Sequence, residues 1–251
     1  GRGHVGRVLR TISPYLSLFA HVLIANSRAG LANAVIWRSG TTRAFVVSNA
    51  VDHEFFSPSV EQRNRVREML GIVPDEKLLG SVGHIRKSKG TDDLVVAFSQ
   101  LAQSHPGWKL LLVGDDGVLG ECSQSVLQAA RLQHRVIVLE ERSEINAVFN
   151  AIDLLCSASC SEGFPNVIAE AMACGKPCVV SDAGESAMVL GDHGLVFPSG
   201  EKGALRQALD SAMNDAARFG KPEDIRQSIV TRFSQASMAS QTEYILTRLV
   251  P

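Results

Sequence analysis

From about residue 78 onward, short apolar runs alternate with amphipathic stretches. Leu78–Val82, Lys109–Val113, Arg135–Leu139, Asp153–Cys156 and Pro177–Ser181 are apolar almost throughout. Between them lie Asp92–Ala102, Gln124–Leu132, Glu144–Phe149 and Asn166–Cys174, with helical spacing of apolar positions. In the first of these, Leu94, Val95, Phe98 and Leu101 share one face. Continuous apolar strands alternating with helices predict a parallel sheet covered on both faces, a Rossmann-like α/β fold. Glycine-bearing turns follow the strands at Gly83, Gly114 and Gly163. Those are the carboxyl ends of the strands, where open α/β sheets bind ligands.

The two ends of the chain read differently. Val22–Ala25 and Phe45–Val47 are expected as short strands around one helix, Arg28–Trp37. That is too little for a complete α/β layer, so residues 1–48 are expected to be the tail of a preceding domain. Residues 49–58 read as a linker and 59–232 as the main domain. Beyond Glu201 the pattern is helical, broken at Pro222 and at Phe233-Ser234, and residues 233–251 hold a last amphipathic helix. Gly1-Arg2-Gly3-His4-Val5-Gly6 fits G-x-G-x-x-G, but that fingerprint needs a strand before it. The expected structure is a frayed end running into a helix with Val8, Leu9, Ile12 and Leu16 on one face.

Composition narrows the function classes. With 251 residues, 45% of them hydrophobic and 20% charged, the chain can build a core without disulfides or metal. A net charge of −1 gives no global field for nucleic acid, so any anion site must be built locally. The apolar stretch Tyr15–Ala25 is broken by His21 and falls short of the roughly 20 residues a membrane span needs. The first residues do not read as a secretory leader. A cytoplasmic location is expected. Cys156, Cys160, Cys174 and Cys178 have C-x3-C spacing, wrong for a C-x2-C zinc knuckle, and are read as buried reduced thiols. Asp115-Asp116 looks like a metal-binding pair, but no metal is expected. His105 and His134 are read as surface loop residues, and His193 as a weak site candidate.

The strongest chemical signal is the run from Ser161 to Pro177. Pro165 suits the first turn of a helix, where its missing N–H is harmless. Gly163 lets the backbone approach a ligand. The amides that follow Glu162 then face outward from a helix start, a site suited to phosphate. Glu162 and Glu170 are eight residues apart, which on a helix is a rise of about 12 Å. One carboxylate is thereby placed for each end of an elongated ligand. Glu170 lies among Ile168, Ala169, Ala171 and Met172, so it should be partly buried, where hydroxyl donors from a sugar or ribose would satisfy it.

The E-x7-E spacing followed by Ala171-Met172-Ala173-Cys174-Gly175-Lys176-Pro177 resembles the retaining two-lobed glycosyltransferases with the GT-B fold, often called family 4. The likeness continues in order along the chain. Ser48-Asn49-Ala50-Val51-Asp52 is similar to that family's interdomain P-N-G-V-D, with Ser48 and Ala50 departing from it. Val82-Gly83-His84-Ile85-Arg86-Lys87-Ser88-Lys89-Gly90 resembles its V-G-R-x-x-x-x-K-G loop, with His84 where Arg is usual. Leu111–Asp115 and Gly194–Gly200 also match.

The resemblance implies roles. Residues 1–48 would be a remnant of the acceptor lobe, 49–58 the interdomain linker, and 59–232 the domain that binds the nucleotide sugar. The helix at 233–251 would pack back on the first lobe. Lys89 would bind the donor diphosphate at the loop of Gly83 and His84, with Arg86 supplying the cation that His84 lacks. Glu162 would hold the transferred sugar, flanked by Gly163, Phe164, Pro165, Asn166 and Val167, with amides from all but the proline. Glu170 would hold the ribose, and the loop of Glu140, Glu141 and Arg142 the base. The implied activity is retaining transfer from a nucleoside diphosphate sugar, with uridine favoured, in polysaccharide or glycolipid biosynthesis. No cofactor is implied. The acceptor, a sugar or a lipid-linked chain, and any peripheral membrane contact would belong to the other lobe. Two other readings remain: a nucleotide-sugar-binding module inactive without that lobe, and a nucleotide-sugar 2-epimerase of the same fold, against which the E-x7-E match argues.

Overall fold

The computed structural model describes residues 22–32, 43–114, 119–140 and 144–248. Ahead of the main sheet, β1 (Val22–Ala25) and β2 (Arg43–Val46) pair in parallel, Val22 opposite Arg43, with α1 (Arg28–Ala32) following β1. The remainder of the predicted helix to Trp37 and the glycine pattern at residues 1–6 lie outside the described residues, as do Asp115 and Asp116.

The main sheet has six parallel strands: β3 (Lys77–Val82), β4 (Trp108–Gly114), β5 (Val136–Glu140), β6 (Leu154–Ser157), β7 (Cys178–Ser181) and β8 (Gly194–Phe197). Their spatial order is β5-β4-β3-β6-β7-β8. The chain thus starts at the centre, winds outward to one edge, returns, and winds to the other. This is the doubly wound Rossmann order, with its switch point between β3 and β6.

Alternate residues of each strand enter two separate cores. Leu78, Leu111, Val113, Leu155, Cys178 and Val180 join one cluster, with α2 (Val60–Met69), α5 (Ile145–Ala151), α6 (Asn166–Ala173), α7 (Ser186–Leu190) and α9 (Pro222–Phe233). Leu79, Leu110, Leu112, Leu154, Cys156 and Val179 join the other, with α3 (Thr91–Leu101), α4 (Glu121–Ala129) and α8 (Lys202–Asn214). Because both faces are covered, no polar alternation survives in the strands, and this made them legible in the sequence.

The joint at the switch point is short. Ladder pairing of β3 with β6 is limited to Leu79 opposite Leu154 and Gly80 opposite Leu155, whereas β3 and β4 pair from Lys77–Trp108 to Val82–Val113. Asp153 extends the short joint: its amide donates to the Leu78 carbonyl and its carboxylate accepts from the Leu78 amide, both at 2.8 Å. Arg63 and Arg67 hold that carboxylate at 2.7 and 3.2 Å.

Several expectations need revision. Helix α2 was not expected, because VEQRNRVREM is polar; only Val66 and Arg67 in it are buried, and the Ser59 side chain caps it through the Gln62 amide. Strand β8 and helix α7 are short and were also missed. His105 is not a surface loop residue: it is buried and its Nε2 lies 2.7 Å from Asp210. Cys160 is exposed, while Cys156, Cys174 and Cys178 are buried, where desolvation pushes the Cys156 and Cys174 thiols up to about 12. Pro222 opens α9, and after Phe233 the chain restarts as α10 (Gln235–Thr247) with Ser234 as its cap. At that junction the Val51 amide of the 49–58 segment donates to Phe233 O at 2.8 Å. Among the described residues, no helix is long and apolar enough to cross a membrane.

Candidate functional site

The site forms over the switch point, where the loops after β3 and β6 meet. After Val82 the chain passes Gly83, His84, Ile85 and Arg86 and tightens into a 3-10 turn, Lys87–Lys89. Gly90 ends that turn at φ 69°, and a Cβ there would collide with the Ala158 carbonyl of the other loop. The two loops are also hydrogen bonded, the Cys160 amide donating to Ser88 O at 2.9 Å. This close approach brings Lys89 Nζ to 2.5 Å from Glu162 Oε1. Both side chains are largely shielded, at 28% and 12% exposure, so the pair is screened less than a surface ion pair.

Lys89, Glu162, Gly83, His84 and Val167 line one small polar pocket, with Thr91, Ser157 and Ser159 beside them. Arg86 is exposed on the same loop and does not line that pocket. The three hydroxyl residues were not singled out in the sequence. Their signal was position alone: Ser157 and Ser159 stand at the carboxyl end of β6, and Thr91 at the start of α3.

Past Glu162 the turn is anchored by Phe164, buried and packed edge-on against Phe233 with ring centroids 5.2 Å apart. Pro165 is buried and occupies the cap position of α6, and no side chain caps this helix. The Asn166 amide is turned back onto Phe164 O at 3.1 Å, so the turn itself already engages one of the four amides expected to face a ligand. The Asn166 side chain accepts from Asn49 Nδ2 at 2.9 Å, tying the 49–58 segment to the helix start.

Glu170 does not share the pocket of Lys89 and Glu162. It lines a neighbouring cavity of about 340 Å³ with Asn49, Asp52, Phe56, Asn166, Gln235 and Met238. Helix α6 separates the two spaces, presenting Val167 to one and Asn166 and Glu170 to the other. Desolvation pushes the Glu170 carboxyl up to about 7. It makes no ion pair among the described residues, and the nearby Lys176 donates to Asn150 O at 2.9 Å. Glu140 is exposed at the end of β5, while Glu141 and Arg142 lie outside the described residues. His193 is bound to Phe219 O at 3.0 Å through Nδ1, which accounts for it structurally. Among the described residues, no group of His, Cys, Asp and Glu could hold a metal ion.

Chemically, the arrangement offers a lysine beside a carboxylate at a helix start with no side-chain cap, on the ligand-binding rim of a doubly wound sheet. The sequence profile of the glycosyl transferases group 1 family matches residues 62–229, from within α2 to within α9, and includes the whole six-stranded sheet. The chain belongs to the glycosyl transferases group 1 family. Among curated proteins, it is 29% identical over 202 residues to the lipopolysaccharide core biosynthesis mannosyltransferase LpsB of Rhizobium meliloti, covering 74% of this chain and 57% of that protein. It is 30% identical over 206 residues to the N-acetyl-alpha-D-glucosaminyl L-malate synthase of Bacillus anthracis, covering 79% and 52% respectively. This glycosyl transferases group 1 chain thus spans about half the length of the curated relatives it matches. A solved structure of Anabaena Alr3699/HepE, in complex with UDP and glucose, superposes with a TM-score of 0.82 at 25% identity, covering 99% of this chain and 69% of that one.

Proposed function

We propose that this chain is the donor-binding part of a two-lobed, retaining glycosyltransferase of family 4, which takes the sugar from a uridine diphosphate sugar. The supporting observation is the Lys89–Glu162 pair at 2.5 Å over the switch point of the sheet. The complex of the similar HepE protein with UDP and glucose supports the donor class. In this reading Lys89 gives its charge to the diphosphate as a compact point donor. Glu162 and the amides of Gly163, Phe164 and Val167 hold the sugar, with His84 and Gly83 along the phosphates and Arg86 closing over them from the loop. Glu170 takes the ribose hydroxyls from its own cavity, and the loop from Glu140 to Arg142 meets the base.

The difficult step is departure of the diphosphate as positive charge builds on the sugar ring. Donors fixed before the reaction and aimed at the leaving group stabilise that charge separation more than they stabilise the ground state. Lys89 and the start of α6 are such donors, and neither a protein nucleophile nor a bound cofactor enters the scheme. The acceptor, a sugar or lipid-linked chain in polysaccharide or glycolipid synthesis, would sit on the other lobe. Residues 1–48 would be the end of that lobe, 49–58 the linker, 59–232 the donor domain, and 233–251 the helix returning to the first lobe. The work would be done in the cytoplasm, with any membrane contact made by the first lobe.

The test is thermal stabilisation by nucleoside diphosphates and their sugars, since a ligand that binds only the folded state raises stability by mass action. UDP and UDP-glucose are expected to raise Tm. Lys89→Ala should weaken UDP binding by about tenfold to a hundredfold, the range for removing one partner of a shielded charged contact. Equal shifts in wild type and Lys89→Ala would refute the site. Because the chain covers only 57% and 52% of its relatives, a narrower reading stands beside the first: the chain by itself binds donor without transferring sugar. Binding without transfer or donor hydrolysis would favour it.

A further inference from the structure

The turn that carries Glu162 and Gly163 is held from two sides. On one side is the loop after β7. There the Glu185 amide donates to Gly163 O at 3.1 Å, and Gly184, at φ 59°, lies so close to the Glu162 carbonyl that any Cβ would collide with it. On the other side is the segment 26–30, which precedes the linker. Ser27 is fully buried there, and its hydroxyl accepts from the Gly30 amide at 3.0 Å. A Cβ on Gly163 would come within 3.3 Å of Ser27 Oγ and 3.6 Å of Asn26 Oδ1, so this segment rests directly against the turn.

Glu185 touches both sides. Its backbone holds Gly163, and its carboxylate Oε1 accepts from the Arg28 amide at 2.7 Å, between residues 157 apart in sequence. The residue is 8% exposed, and none of the ion pairs among the described residues involves it. Among the described residues this carboxylate is engaged by the Arg28 amide, a contact that the side-chain oxygen of glutamine could also make.

The geometry points to Glu185 as a positioning residue for the sugar-holding turn, clamping Glu162 and Gly163 against the segment that precedes the linker. The assignment rests on the donor reading given above. Among the described residues Glu185 makes no hydrogen bond to the loop of Lys89, so the clamp acts first on the sugar end of the donor and only secondarily on the diphosphate. Contact with the preceding part of the chain then sets the geometry of the turn, and small displacements at such a turn are costly.

The test uses Glu185→Ala and Glu185→Gln in the intact protein, with UDP and UDP-glucose as probes. Glutamine keeps an acceptor oxygen for the Arg28 amide. Glu185→Ala is expected to leave UDP affinity within about twofold of wild type while lowering UDP-glucose affinity or turnover about tenfold, and Glu185→Gln to recover most of that loss. A parallel fall for both probes, or no fall for either, overturns the assignment, as does a glutamine variant as impaired as the alanine one. Hydrogen exchange without ligand reads the clamp itself: Glu185→Ala should raise exchange about fivefold in peptides covering 26–30 and 161–166, and Glu185→Gln should not. Unchanged exchange overturns the clamp. Should the wild type bind neither probe, the donor reading falls, and the exchange result alone decides the clamp.

Discussion

Glu170 shows what a single residue can and cannot reveal in a sequence. Its apolar neighbours Ile168, Ala169, Ala171 and Met172 foretold partial burial, and the structure has it half-buried, with its carboxyl pushed up to about 7 by desolvation. Its separation from the Lys89 pocket was not legible. A spacing of eight residues fixes a rise and a rotation, but not which cavity lies on each side of the helix. The titration has a consequence for stability. The unfolded chain releases this proton near 4.5 and the folded one near 7, so the folded state holds more protons between those values. The contribution to stability is complete below pH 4.5 and is lost as pH rises to about 7. Glu170→Gln should flatten that part of the Tm-against-pH curve and melt above wild type at pH 8. Parallel curves would show that the carboxyl ionises normally. If hydroxyl donors of a nucleotide bind the charged form, wild-type affinity for UDP should also weaken between pH 8 and 6, and isothermal titration in several buffers would show proton release.

Among elements, legibility followed burial on two faces. The central strands announced themselves because Leu110, Leu111, Leu112 and Val113 are all buried, leaving no polar position to blur the run. Helix α2 stayed hidden because it buries only Val66 and Arg67, and the arginine is accommodated by carbonyls of Val73 and Glu76 that sequence reasoning could not place beside it. His105 was misjudged for the same reason: its partner Asp210 lies on α8, far along the chain. The loops that carry the site are placed by backbone contact as much as by side chains. Gly90→Ala should therefore be costly, since φ 69° is unfavourable to alanine and the methyl would strike the Ala158 carbonyl. A loss of about 1–3 kcal/mol is expected, a fall of a few degrees in Tm measured by calorimetry. UDP affinity should fall with it, because the collision pushes the loop of Lys89 away from that of Glu162. An alanine variant with unchanged Tm and affinity would mean that the loops can part freely.

At the scale of the whole molecule, the strand order was not written in any local pattern. Apolar runs imply a parallel sheet, yet which strand neighbours β3 depends on packing between distant segments, and here β6 does. That choice brings Lys89 and Glu162, which are 73 residues apart, within bonding distance. It also divides the sheet into two three-stranded plates, β5-β4-β3 and β6-β7-β8, riveted only at Leu79–Leu154 and Gly80–Leu155 with Asp153 as an added pin. A molecule gripped by Lys89 on one plate and by Glu162 on the other would act as a strap across that seam. The amides of Leu78 and Asp153, which bond across the seam, should then gain more protection from hydrogen exchange on adding UDP-glucose than those in the broad overlap of β4 with β5. Equal protection in both places would mean that the plates already move as one slab and that the ligand merely rests upon it.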